Sequence, residues 1–446
     1  MSDSMALADW LARIESQHPV SIDLGLERVA EVARRMGLTD SPIAERVVSV
    51  AGTNGKGSTV ALLEALARAH GLSTATYTSP HLLRYNERLR LDGIEASDAL
   101  LVAGFERVET ARLAPEPISL TYFEVGTLAA FWAIAERHPQ MAILEIGLGG
   151  RLDAVNVVDP DVAIITTVAQ DHAAFLGTDI EIIGREKAGI LRAARPAVLG
   201  SRHLPASVYR RALELGAGTH ALGRDFWHVP QATGWQEGDG NWRWEGRDGE
   251  GNALTLEALP DPRLPLDNAA SALQALALAG TTLDGEACRQ AFEGVRLPGR
   301  MQWLGQWCLD VAHNPQAAHY LAARLAERPR SGRRVALFGM LDDKDAGAVI
   351  DALAAQVDGW VAVSLEGERG RDATQLAALL ESHGQTVLHR AAAPRAGAEW
   401  LAATLETNDE ALVCGSFLTV ADVLDWYDSR ESDVSPETAS IPRRKS

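Results

Sequence analysis

The sequence predicts an α/β protein in two domains, each built on a largely parallel sheet. Three observations carry that expectation. From about residue 46, apolar β-rich runs alternate with helical patterns, as they do where helices cover a mainly parallel sheet. The run "VSVAG" passes through a glycine-rich turn, "TNGKGST", directly into a helical pattern. The alternation lapses and then restarts beyond "GVRLPGRMQWLG", whose Pro and Gly mark a junction, and 446 residues exceed what one core usually holds.

The elements follow in order. "RVVSVAG" is a strand and "GSTVALLEALARAHG" a helix closed by Gly71. "LSTATYTSPHL" reads as strand and loop, "SDALLVAGFERVETARLA" as a helix, and "TYFEVGTLAAFWAIAERH" as a longer, mostly buried helix. "MAILEIGLGGRLDAVN" is a buried strand ending in a second glycine-rich loop, and "DVAIITTVAQDHAAFLG" repeats that design. Between about 224 and 260, Gly, Trp and charges in short alternating segments indicate a small antiparallel excursion, and "LDNAASALQALALAG" resumes as a helix. Five strand-helix pairs follow, from "WCLDVA" to "TVADVLDWY". The expected boundaries are 1–296 for the first domain and 297–430 for the second, with 431–446 a disordered polar tail.

Composition limits the partners. A net charge of -18 excludes a nucleic-acid backbone or an anionic membrane as the main partner, since both select basic surfaces. Cys288, Cys308 and Cys414 show no C-x-x-C spacing, which excludes a thiolate metal cluster and suits a reducing compartment. With no apolar run of about 18 residues and with Asp3 and Asp9 near the N-terminus, the expected location is cytoplasmic. The absence of a heptad run points to a monomer.

Of 42 basic residues only four are lysine: Lys56, Lys187, Lys344 and Lys445. In a chain whose default cation is arginine, a lysine in a glycine-rich or acidic loop points to a task a guanidinium cannot perform. The first loop departs from the usual G-x-x-x-x-G-K-[ST] spacing, with Val50 six residues before Lys56 and Gly57 directly after it. Its chemistry is nevertheless that of a phosphate loop. Gly52, Gly55 and Gly57 let backbone N–H groups approach phosphate oxygens, and the helix behind them points its positive end the same way. Lys56 adds a compact charge, and Ser58 or Thr59 is placed for Mg2+. Polar residues also end three other strands: Ser79 and His81; Glu145, Arg151 and Asp153; Asp171 and His172. In an open parallel sheet these ends line the ligand crevice, where Glu145 and His172 suit a metal.

Lys187 in "GREKAGI" is a lysine that could take up CO2 as a carbamate, turning a cation into an anion beside magnesium. The same residue equally fits a solvated helix-end lysine. Beyond the junction, Arg300, Asp310, His313 and Lys344 stand where a second domain would face the first, closing around a reactive phosphorylated intermediate.

Nine motifs in register, "GTNGKGS", "SPHL…NER", "TYFE", "EIGLGGRLDAVN", "DH…LG", "REKAGI", "PGR", "DVAHNP" and "FGMLDDKD", resemble the folylpolyglutamate synthase and dihydrofolate synthase branch of the Mur ligase superfamily. The resemblance runs from about residue 20 to about 425. It implies a P-loop-type parallel-sheet ATPase domain followed by a smaller Rossmann-like domain, with ATP and Mg2+ as cofactors. It also implies the reaction: ATP phosphorylates the carboxylate of dihydropteroate or a reduced folate, and the amine of L-glutamate displaces phosphate to give an amide. By the same resemblance Gly52, Thr53, Asn54, Gly55, Lys56, Gly57, Ser58 and Thr59 hold the nucleotide, with Asn268, Arg300 and Asp310. Ser58, Ser79, Glu145 and His172 hold the metal. Lys187 matches a lysine carbamylated in relatives, and His313 lies near the transferring phosphate. Arg28 and Phe123 belong to the pterin pocket, with Arg151 and Asp153 as further substrate contacts. Two positions depart from the family pattern: Val311, where Gly is common in "DVAHNP", and Asp267, where Gln or His often precedes the Asn.

The leading expectation is a bifunctional enzyme that adds the first and later glutamates. A folylpolyglutamate synthase acting only on preformed folates, or another Mur-type ligase, is the alternative, although about 45 residues before the first strand are few for a UDP-sugar domain. A P-loop kinase or switch would account for the first loop but not for the second domain.

Overall fold

The computed structural model describes residues 5–18, 20, 22–171, 173–230 and 241–434. The chain divides into two compact units, Met1–Arg296 and Leu297–Ser446.

The first unit is organised by an eight-stranded sheet. Its strands are β1 (Val47–Ala51), β2 (Thr74–Tyr77), β3 (Leu89–Leu91), β4 (Ile94–Glu95), β5 (Met141–Glu145), β6 (Val162–Ile165), β7 (Pro196–Leu199) and β8 (Gly218–Ala221), in the order β4-β3-β2-β5-β1-β6-β7-β8. Strands β2, β5, β1, β6, β7 and β8 are parallel; β3 and β4 form an antiparallel hairpin on the edge. The central strands read VVSVA, MAILE and VAII and are buried along their whole length, as expected of a parallel sheet covered on both faces. Because β1 lies between β5 and β6, the loops after these three strands meet at one end of the sheet.

The helix Lys56–Ala69 begins immediately after Gly55, whose φ of 86° is the left-handed conformation that glycine adopts without strain. The helix Tyr122–Arg137 opens with a capping box: the Thr121 hydroxyl accepts from the Glu124 backbone N–H at 3.2 Å, and the Glu124 carboxylate accepts from the Thr121 N–H at 2.7 Å. A separate antiparallel sheet, β11-β10-β9, is formed by β9 (Trp227–Pro230), β10 (Trp242–Arg247) and β11 (Ala253–Leu259). It is the excursion expected around 224–260, and Trp242 and Trp244 are its buried anchors. Residues 231–240 lie outside the described residues.

The second unit has β12 (Gln302–Leu304), β13 (Trp307–Leu309), β14 (Arg334–Phe338), β15 (Gly359–Val363), β16 (Val387–Ala391) and β17 (Glu410–Cys414), in the order β12-β13-β17-β14-β15-β16. All neighbours are parallel except β12 and β13. The five strand-helix pairs fall where the alternation places them. The stretch "MQWLG", expected to be junction punctuation, instead supplies the short antiparallel β12. The last helix, Phe417–Val434, continues four residues past the expected boundary at 430, and the remainder of the expected tail lies outside the described residues.

Candidate active site

The loop from Gly52 to Gly55 is fastened to the end of β6. The Thr53 N–H donates to the Thr167 carbonyl at 2.8 Å, and the Thr53 hydroxyl both donates to the Ala169 carbonyl and accepts from the Ala169 N–H, each at 3.0 Å. The Asn54 N–H donates to the Thr167 hydroxyl at 3.0 Å, while the Thr166 hydroxyl donates to the Asn54 carbonyl at 2.6 Å. A Cβ on Gly52 would lie 1.8 Å from Thr166 Oγ1, and one on Gly55 would lie 2.8 Å from Asn268 Oδ1. Backbone passes here because these residues have no side chain. Thr59 donates its hydroxyl to the Gly55 carbonyl at 2.8 Å, and Ser58 is buried beside it.

Both lysines singled out in the sequence converge on one acceptor. Lys56 Nζ donates to the Gly52 carbonyl at 3.2 Å and to that of Thr53 at 3.3 Å, and Lys187 Nζ reaches the same Gly52 carbonyl at 3.0 Å. Lys187 is 4% exposed. Burial, reinforced by the neighbouring Lys56 charge, lowers its pKa to about 7, against the opposing pull of Asp171 and Asp153. The solvated helix-end alternative is therefore excluded: this is a buried amine with an appreciable neutral fraction near neutrality.

Glu145, at the end of β5, is buried and accepts the Ser79 backbone N–H at 3.2 Å. Its Oε2 lies 3.8 Å from where a Cβ on Gly57 would stand, so Glu145, Ser79 and the first glycine-rich loop share one end of the sheet. His172 lies outside the described residues. Among the described residues no cluster of three or more His, Cys, Asp or Glu could hold a metal. Asn268, in the first turn of Leu266–Leu278, is 4% exposed and packs on Gly55, and its buried Nδ2 makes no hydrogen bond. The Asp267 carboxylate beside it accepts from His228 Nε2 of β9 at 2.7 Å, tying the helix start to the small sheet.

Asp153 is buried, and its carboxylate accepts the N–H groups of Leu148 and Val155 at 2.8 and 2.9 Å. Burial raises its pKa to about 6 despite those bonds and the Lys56 charge. Arg151 is half-exposed and pairs with Glu186 at 2.9 Å, one residue before Lys187. Arg28 is tied to the start of Tyr122–Arg137, the helix that carries Phe123. Arg28 donates to Glu124 at 2.9 Å, and Phe123 covers Gly147, where a Cβ would lie 2.6 Å from its ring, with Tyr77 beside it at 6.3 Å between centroids.

The loop after β2 is shaped by a residue the sequence reading passed over. Glu87 accepts the backbone N–H groups of Leu82, Leu83 and Arg84 at 2.7, 2.7 and 2.6 Å. Arg88 is buried against the rings of Tyr85 and Tyr122 and donates through Nε to His81 Nδ1 at 2.9 Å. Burial, then the Arg88 charge, depress the His81 pKa.

In the second unit, Asp310 stands at the end of β13. Its carboxylate accepts the N–H groups of Met301 and Ala312 at 2.9 and 2.8 Å, and burial raises its pKa against the Arg300 charge. Arg300 lies over Phe417 at 5.3 Å, and His313 faces the same ring at 6.0 Å. Val311 is accommodated in the core, its N–H donating to the Gly299 carbonyl at 2.9 Å.

Comparison with known proteins decides among the ligase families. Residues 50–200 match the Mur ligase middle domain and residues 299–417 the Mur ligase glutamate ligase domain. The chain is 43% identical over 431 residues to the dihydrofolate synthase/folylpolyglutamate synthase of Escherichia coli strain K12, covering 96% of either chain. The chain belongs to the dihydrofolate synthase/folylpolyglutamate synthase branch of the Mur ligase family. Among solved structures it is similar to E. coli FolC in complex with DHPP and ADP, with a TM-score of 0.87 and 42% identity over 96% of this chain and 99% of that one. A bifunctional folylpolyglutamate synthase/dihydrofolate synthase with Mn, AMPPNP and L-glutamate bound gives a TM-score of 0.85 at 42% identity, over 95% of this chain and 98% of that one.

Within this Mur ligase fold, three sequence signals had a readable cause. "TYFE" is a T-x-x-E capping box, "HNP" places the Asn314 cap before a first-turn proline, and the Arg of "NER" is Arg88, which reaches back to the His of "SPHL".

Proposed function

We propose that the chain is an ATP-dependent amide ligase joining L-glutamate to dihydropteroate, to form dihydrofolate, and to reduced folates, to form polyglutamates. The observation that carries this reading is the convergence of Lys56 and Lys187 on the Gly52 carbonyl, beside buried Glu145 and an Asn268 amide without a partner. A buried N–H group left unbonded is costly, and here it borders the glycine loop that would hold a nucleotide.

The acceptor carboxylate attacks the γ-phosphorus of ATP, and ADP leaves with the electrons of the broken P–O bond. The amine of L-glutamate, having lost its ammonium proton, attacks the acyl carbon, and phosphate departs. Activation is required because a carboxylate is a poor electrophile. We assign Gly52 to Thr59 to the phosphates through backbone N–H groups, with Lys56 supplying charge and Asn268 its unbonded amide. Arg300, Asp310 and His313 of the second unit are assigned to the nucleotide as well. Arg28 and Phe123 would receive the pterin, with Arg151 and Asp153 bordering the second glycine loop.

The donor set fits magnesium, which takes hard oxygen ligands, keeps waters and uses few carboxylates. Ser58, Ser79 and Glu145 would hold it; His172, the fourth ligand expected from the resemblance, lies outside the described residues. The ion supplies charge neutralisation at the phosphates. Lys187, with its depressed pKa, is suited to carbamate formation, which needs a neutral amine. We infer a cytoplasmic location, which suits three buried, unpaired cysteines.

The test is ADP release with Mg-ATP and L-glutamate, comparing dihydropteroate with tetrahydrofolate. Turnover with both is expected. Turnover with tetrahydrofolate alone would restrict the enzyme to polyglutamylation, and none with either would overturn the reading.

A further inference from the structure

We infer that His81 is a fixed hydrogen-bond donor that presents Nε2–H to the carboxylate of the acceptor substrate, and is neither a metal ligand nor a base. The inference rests on the proposed ligase reaction for the identity of that substrate, but its structural part stands on geometry alone.

His81 follows Ser79 by two residues, so sequence position alone would add it to the metal's ligands. The hydrogen bond from Arg88 forbids this. Arg88 Nε donates to His81 Nδ1 at 2.9 Å, and a guanidinium keeps its protons throughout the accessible pH range. Nδ1 must therefore offer its lone pair to Arg88. A neutral imidazole carries one proton, which then sits on Nε2. Metal ligation or proton abstraction through Nε2 would need the lone pair that this tautomer lacks.

Arg88 is not free to change the arrangement. It is 9% exposed and lies over Tyr85 at 5.2 Å and Tyr122 at 5.6 Å. The His81 ring rests edge-on against Tyr85 at 5.8 Å. The backbone from Leu82 to Arg84 is held by the Glu87 carboxylate. The ring is thus fixed on two sides while His81 remains partly exposed, which leaves Nε2–H available to a ligand that accepts.

Which ligand follows from the neighbours. The phosphate loop is built from β1, the end of β6 and the Asn268 helix, and none of these contributes to the Arg88–His81 assembly. That assembly shares Tyr122 with the start of Tyr122–Arg137, where Phe123 and Arg28 stand. On the proposed reading the acceptor substrate enters on that side, and dihydropteroate carries a single carboxylate for Nε2–H to meet. Arg88 acts through His81 and is a positioning residue.

The experiment compares wild type, His81→Ala, His81→Gln and Arg88→Gln. Dihydropteroate Kd is measured calorimetrically without ATP, and KM for ATP and the Mg2+ half-saturation are measured in turnover. The His81 tautomer is read by nitrogen-15 NMR. Loss of a hydrogen bond to a charged group weakens binding about tenfold or more, so His81→Ala is expected to raise the dihydropteroate Kd by that factor with ATP KM and Mg2+ dependence unchanged. His81→Gln, whose amide nitrogen can still donate, recovers most of the loss. Arg88→Gln releases Nδ1 and allows the second tautomer. An Nδ1–H signal in wild type, an unchanged Kd in His81→Ala, or a raised Mg2+ requirement would each overturn the inference. Failure of wild type to bind dihydropteroate would instead overturn the ligase reading and, with it, the substrate named here.

Discussion

Replacing Lys187 with methionine should stabilise the first unit, and by an amount that depends on pH. The folded lysine titrates at about 7 instead of its ordinary 10.5. Above 10.5 neither state is protonated and burial of the amine has no electrostatic cost. As pH falls the unfolded chain takes up its proton first, so the fold loses stability down to about 7, below which the penalty is complete. At 1.36 kcal/mol per pH unit of displacement, the full penalty is about 5 kcal/mol; linkage gives about 4 kcal/mol at pH 7 and about 2 kcal/mol at pH 9. The variant also loses the 3.0 Å bond to Gly52, worth about 1 kcal/mol, but that loss is the same at both pH values. The assay is urea unfolding of wild type and Lys187→Met at pH 7 and 9 in CO2-free buffer. The variant's advantage should shrink by about 2 kcal/mol between them. An advantage independent of pH would refute a depressed pKa. Added bicarbonate should then change only the wild type, since carbamate needs the amine.

Asn268→Ala is expected to raise the KM for ATP about tenfold while leaving the melting temperature nearly unchanged, because the buried Nδ2 has no bond to lose; a large loss of stability in a thermal scan would contradict this. Gly52→Ala drives a Cβ to 1.8 Å from Thr166 Oγ1 and should abolish ATP binding, with Gly52→Ala/Thr166→Ala recovering part of it in a nucleotide titration. Glu87→Ala leaves three N–H groups without their carboxylate and should cost about 2 kcal/mol of unfolding free energy, measured by denaturant; Glu87→Gln, which can still accept, should cost less. Chelation with EDTA should stop turnover, and Mg2+ should restore it.

The parallel strands were legible because they are apolar on both faces and bounded by glycine loops: β1, β5 and β6 stand where "VVSVA", "MAILE" and "VAII" place them. What escaped notice was short or carried by edges. The hairpin of β3 and β4 has no buried run long enough to show periodicity, and β12 hides in a stretch whose Pro and Gly read as a junction. The helices Leu7–Ser16 and Glu27–Arg35 were not anticipated either; the first is fixed by packing, Trp10 resting on Phe105 at 6.1 Å between centroids. In the candidate site, residue types and strand ends could be read from the chain, so Lys56, Lys187 and Glu145 could be singled out, and the structure brings the two lysines to the Gly52 carbonyl. Pairings between distant residues could not. The sequence holds no sign that two lysines 131 positions apart share the Gly52 carbonyl, or that Asp267, a departure from the family pattern, finds His228 of a separate sheet.

The short hairpin also governs how the protein behaves in a crowded solution. An unpaired strand edge is a template on which another chain can add. On the β2 side, the parallel sheet ends in three-residue β3 and two-residue β4, leaving too little exposed ladder for a neighbour to extend. On the second sheet, β16 exposes Leu388 and Arg390, so a charge interrupts its outer row. Lengthening the β4 strand at the expense of its turn would remove that protection without touching any residue of the first glycine-rich loop, and the first sign would be turbidity at high protein concentration rather than lost turnover.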